Sequence, residues 1–96
     1  GDTIDAATAE RYGLVNRVVP GAELMESALA LAERLAAGPT LALGMTKRLL
    51  LNEAGMDLIS ALEAEAQAQA LLMMAGDHRR FYEAFVAKAK PVFQGR

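Results

Sequence analysis

Apolar residues return at steps of three and four along most of this chain, and alternate with polar ones in only one short place. Asp5 is placed to cap a first helix, Ala6 to Tyr12, and Gly13 to end it in the left-handed conformation. Leu14 to Val19 is β-branched and roughly alternating, closed by Pro20-Gly21, and is expected as the single strand. A lone strand cannot satisfy its own backbone, so its partner is expected outside this helical chain. A second helix is expected from about Ala22 to Ala37. Leu24, Ala28, Leu31 and Leu35 line one face of it, Glu23 and Glu26 open it, Arg34 lies in its last turn, and Gly38 stops it. The third runs from about Pro39, a favoured first position, to Ala54, with Gly44 weakening its middle by roughly 1 kcal/mol against alanine. The fourth covers Asp57 to Ala75, with Ile59, Leu62, Ala66, Ala70 and Met73 on a shared face, and Gly76 as its stop.

The closing stretch, Asp77 to Arg96, carries the most functional information. Asp77 is expected to cap a fifth helix on which Phe81, Tyr82, Phe85 and Val86 make an apolar stripe. Lys88 and Lys90 are expected in its last turn, Pro91 ends it, and Phe93 is the only large side chain of the tail. Rings beside ammonium groups can grip a flat polyanion. The bland alternative is a terminal helix docked on a core, which is where aromatic stripes usually go, and the residues alone favour it.

Composition narrows the class. Alanine and leucine dominate, and with few β-branched residues the fold is expected to be mainly α, with four to five helices and one short strand. At 53% hydrophobic and 23% charged, the 96 residues are neither a disordered tail nor a basic nucleic-acid module; the net charge of −2 gives no bulk attraction to nucleic acid or anionic membrane. There is no cysteine, hence no disulfide or thiolate site, and no apolar run of transmembrane length. The chain reads as soluble, intracellular and cytoplasmic. Thin alanine-rich stripes bury modest area, so a partner or further copies of the chain are expected to complete the core.

No self-sufficient active site is legible. Glu63 and Glu65 point to different faces, and Glu10, Glu53 and Glu83 read as solvated helix faces. His78 stands alone, which is a poor metal site. Ser27 and Ser60 lack a base, no phosphate-binding glycine motif is present, and Lys47-Arg48 and Arg79-Arg80 are weak basic pairs. Catalytic and metal-binding residues are therefore expected to be none.

Several segments nevertheless resemble the crotonase family, the enoyl-CoA hydratases and isomerases. They are Gly1-Asp2-Thr3-Ile4-Asp5-Ala6, Gly13 to Pro20, Leu35-Ala36-x-Gly38-Pro39 with Lys47, Ala61-Leu62-x-x-Glu65, and Ala84-Phe85-Val86-x-Lys88-x-Lys90-Pro91-x-Phe93-x-Gly95. The resemblance is to the last third of such an enzyme, the helical C-terminal (trimerisation) region of the ClpP/crotonase-like fold. It implies that residues 1–20 close the family's spiral core, strand included, and that 21–96 form the helical oligomerisation region. It also implies a parent acting on acyl-CoA thioesters through an enolate, with coenzyme A as part of the substrate and no other cofactor. The family's oxyanion hole and most of its acid–base carboxylates precede this region, so the piece alone is expected to be inactive. Its implied partners are the acyl-CoA substrate and copies of itself, as a trimer or dimer of trimers, with neither nucleic acid nor membrane. Phe85 and Lys88 match the family's contacts to the adenine and phosphates of CoA, and three apart on a helix they would share a face. Lys90 and Phe93 are expected to be structural, and Arg79-Arg80 departs from the family's usual acidic residues. The alternative from another class is an autonomous helical interaction module without catalysis.

Overall fold

Five α-helices and one short 3-10 turn account for the regular structure of residues 1–96 in the computed structural model. They are α1 (Ala6–Arg11), the 3-10 turn (Gly21–Glu23), α2 (Leu24–Ala36), α3 (Thr40–Glu53), α4 (Leu58–Met74) and α5 (Gly76–Val86). The chain divides into two compact units, Gly1–Ala32 and Glu33–Arg96.

In the first unit, Asp5 caps α1 as its residue type demands, its carboxylate accepting the Thr8 amide at 2.8 Å. The helix ends in a Schellman motif. Gly13 adopts a φ of 71°, its amide donates to the Glu10 carbonyl at 2.9 Å, and the Leu14 amide reaches back to the Ala9 carbonyl at 2.9 Å.

Leu14 to Val19 does not form the expected strand. The segment runs as turn, bend and irregular chain, with no neighbouring strand in the structure. β-Branched alternation makes a strand only where a second edge is available to take up its backbone groups. Here Glu10, read from sequence as a solvated carboxylate, supplies an acceptor instead: its Oε1 takes the Val18 amide at 3.0 Å and ties the segment to α1. The second helix starts as the 3-10 turn after Pro20 rather than as a full α-helix from Ala22.

In the second unit α3 packs against α4, and α4 against α5. Pro39 lies just outside α3 as its N-cap, with a ψ of 82° that is not helical. Asp57 caps α4, accepting both the amide (3.0 Å) and the hydroxyl (2.6 Å) of Ser60. Those bonds hold the Asp57 carboxyl below its ordinary range, as the side-chain and backbone bonds from Thr8 do for Asp5. Ala68 on α4 is the one buried apolar residue of the whole chain. Ile59, Leu62 and Met73, the expected inner face of α4, remain 64%, 52% and 55% exposed. The helical stripes are thus formed but not covered.

Candidate functional site

The boundary between α4 and α5 is one residue. Ala75, extended at φ −70° and ψ 148°, ends α4 and is the N-cap of α5. Gly76 is therefore not the stop but the first residue of α5, and Asp77 is not the cap but lies in the first turn. The reason is what Asp77 binds. Its carboxylate is buried and accepts the backbone amides of Gln94 (Oδ1, 2.7 Å) and Gly95 (Oδ2, 2.7 Å), while its own amide donates to the Arg96 carbonyl at 2.9 Å. A carboxylate so engaged with the tail is not free to cap its own helix.

Arg80 completes this clamp. One of its nitrogens donates to Asp77 Oδ1 at 3.2 Å and another to Gln94 Oε1 at 2.6 Å. Burial pushes the Asp77 carboxyl up, but the two tail amides and the Arg80 guanidinium together outweigh that and hold it below the ordinary carboxylate range. Gly95 is required for the same geometry. Its φ is +73°, and a Cβ there would lie 2.5 Å from Thr40 Oγ1 at the start of α3. The Arg79-Arg80 pair is consequently not a free basic patch, since Arg79 is bonded to Glu83 at 2.8 Å in turn.

The end of α5 also differs from expectation. The helix stops at Val86, so Lys88 and Lys90 lie beyond it and Pro91 is not what ends it. A second Schellman motif does so. The Lys88 amide donates to the Phe85 carbonyl at 3.1 Å and the Ala89 amide to the Ala84 carbonyl at 2.9 Å. Lys88 occupies the left-handed position at φ 52°, the one non-glycine residue of the chain with a positive φ. Phe85 and Lys88 therefore do not share a helical face. The two are joined instead through the turn, by the bond from the Lys88 amide to the Phe85 carbonyl.

The aromatic stripe of α5 is open, not docked within this chain: Phe81, Tyr82, Phe85 and Val86 are 51%, 63%, 71% and 64% exposed. Phe81 and Phe85 stack, with ring centroids 6.2 Å apart and planes inclined by 25°. On its other side Phe81 joins Phe93, Leu49, Leu50 and Leu72 in lining a groove of about 570 Å³ between α3, α4 and the tail. Glu53 also lines it, with Oε1 buried and lacking a hydrogen-bond partner. No three ligand-type side chains converge anywhere to hold a metal ion, and no helix is long and apolar enough to cross a membrane.

The structure thus brings Phe85 and Lys88 to the same end of α5 and adds three residues that sequence reasoning missed. Asp77 is expected only as a helix cap and Gly95 only as part of the closing motif, and no spacing rule links them across 18 positions. Phe81 was counted only as part of the stripe, although its i,i+4 spacing to Phe85 was the available signal.

The family model for enoyl-CoA hydratase/isomerase matches residues 1–96. The 1,2-epoxyphenylacetyl-CoA isomerase of Escherichia coli K12 is 32% identical over the whole chain, and the 2,3-dehydroadipyl-CoA hydratase of the same organism 35%. The chain spans 37% and 38% of the length of these two relatives. Among solved structures, a Mycobacterium abscessus protein of the enoyl-CoA hydratase/isomerase class superposes with a TM-score of 0.95 at 49% identity, covering all of this chain and 37% of the other. The enoyl-CoA hydratase of Bacillus anthracis gives 0.86 at 33% identity, covering 95% and 35%. On sequence and fold alike, this chain belongs to the enoyl-CoA hydratase/isomerase family.

Proposed function

We propose that this chain is the helical C-terminal part of a longer acyl-CoA-processing enzyme, in which it contributes contacts between subunits and a contact to the nucleotide end of coenzyme A. The observation that carries the second role is the pairing of an exposed aromatic ring, Phe85, with Lys88 held in a left-handed turn directly after it. A left-handed lysine costs about 1–2 kcal/mol, which glycine would avoid, and such strain persists where the side chain is wanted. A ring for the base and an ammonium for phosphate is the combination a nucleotide headgroup needs. Enolate formation from the thioester would fall to backbone donors and carboxylates outside these residues, because no acid–base pair is assembled here.

Support for the first role comes from the surface. The chain exposes 8104 Å², against roughly 5,300 Å² expected for a folded monomer of its mass. The excess is area for the rest of the longer chain and neighbouring subunits to cover between them. Calorimetry with coenzyme A tests the headgroup contact on the parent protein. Phe85→Ala and Lys88→Ala are each expected to weaken binding severalfold. Unchanged affinity in both variants would refute the assignment.

A further inference from the structure

Phe85 has one face stacked on Phe81 and is otherwise 71% exposed. An isolated exposed phenylalanine turns among rotamers, and ordering it on binding costs free energy. Phe81 removes much of that freedom. It sits one turn earlier, is the less exposed residue of the two, and lines the groove together with Phe93 and Leu72. The pair is an offset stack within the range where aromatic rings attract, and Phe85 keeps most of its surface free beside it.

We infer that Phe81 is a positioning residue for an adenine-type base, holding the Phe85 ring as the middle layer of a three-ring stack, with Lys88 beside it for phosphate. This rests on the headgroup contact proposed above and adds to it a residue that touches no ligand. The arrangement predicts that Phe81 contributes to recognition of the nucleotide half of coenzyme A and not of the pantetheine half.

The test measures affinity of the parent protein for coenzyme A and for 4′-phosphopantetheine, and the fluorescence change of etheno-coenzyme A, whose base is quenched by stacking. Phe81→Leu keeps bulk in the groove but removes the ring. It is expected to weaken coenzyme A by roughly three- to tenfold, the range of an aromatic pair, to diminish the quench, and to leave phosphopantetheine unchanged. Phe81→Tyr is expected to restore both signals. Equal losses for coenzyme A and phosphopantetheine in Phe81→Leu would overturn the inference, making Phe81 a groove-packing residue. Wild-type behaviour of Phe81→Leu beside a weakened Phe85→Leu would overturn it too, while leaving the headgroup contact standing. Wild-type affinity in both Phe85→Leu and Lys88→Ala would remove the headgroup contact and this inference with it.

Discussion

Replacing Lys88 separates strain from binding, because two substitutions share one effect and differ in the other. Lys88 sits at φ 52° and closes the turn after α5. Left-handed backbone costs an L-residue about 1–2 kcal/mol, and glycine escapes that cost but loses about 0.5–1 kcal/mol through its freer unfolded chain. Lys88→Gly is therefore expected to be more stable than Lys88→Ala by about 0.5–1 kcal/mol, since alanine keeps the strain. Both lose the ammonium. Lys88 is exposed, so its bond to a phosphate belongs with screened surface ion pairs, at most about 1 kcal/mol or roughly fivefold in affinity. Urea unfolding of the parent protein, read by circular dichroism, gives the stability difference, and calorimetry with coenzyme A gives the binding loss. The expected result is a crossover, in which Lys88→Gly is the more stable of the two variants and both bind severalfold more weakly than wild type. A glycine variant no more stable than the alanine variant would refute the left-handed turn. Wild-type affinity in both would refute the phosphate contact.

Other outcomes can be checked alongside. Gly95→Ala is expected to cost more than Gly13→Ala. Both residues have φ near +70°, but only at Gly95 would the new Cβ meet Thr40 Oγ1, so adding Thr40→Ala should recover the difference in urea midpoint. Asp77 binds protons less readily folded than unfolded. Its stabilising effect is therefore complete above the ordinary carboxylate pKa of about 4 and lost as pH falls through the depressed folded value. Acid unfolding of Asp77→Asn should show a shallower slope in that window, and an unchanged slope would remove the clamp from the account. Sedimentation of the 96-residue chain at micromolar concentration is expected to give a mass well above 10.2 kDa; a monomer with a dispersed amide spectrum would contradict the reading of its open apolar faces.

What could be read from sequence and what could not divide along a physical line. Asp5 and Gly13 act on groups within a turn of themselves, and their roles are legible from residue type and position. Asp57, expected as the first residue of its helix, is instead its N-cap by the same local chemistry. Asp77 has the residue type and position of another such cap. Its partners lie 17 and 18 residues away, and the competition between a local amide and a distant tail is not written in either segment. Lys88 misled for a related reason. The left-handed closing position is recognised by glycine, and a lysine there carries no warning. Leu14 to Val19 has the composition of a strand, but strand formation is a property of two segments, and only one is present. Phe85 and Lys88 are singled out by the family resemblance, whereas the stacking of Phe85 on Phe81 shows only in the folded chain.

Ala75 remains, the single extended residue between α4 and α5. Were its ψ to turn helical, the two would fuse into one unbroken rod from Leu58 to Val86, and the ten residues from Gly76 to Phe85 would run on along the α4 axis for about 15 Å. The direction in which the aromatic pair faces is thus governed by one peptide pivot, and the Gln94–Arg96 segment acts as the guy-rope that keeps this pivot bent.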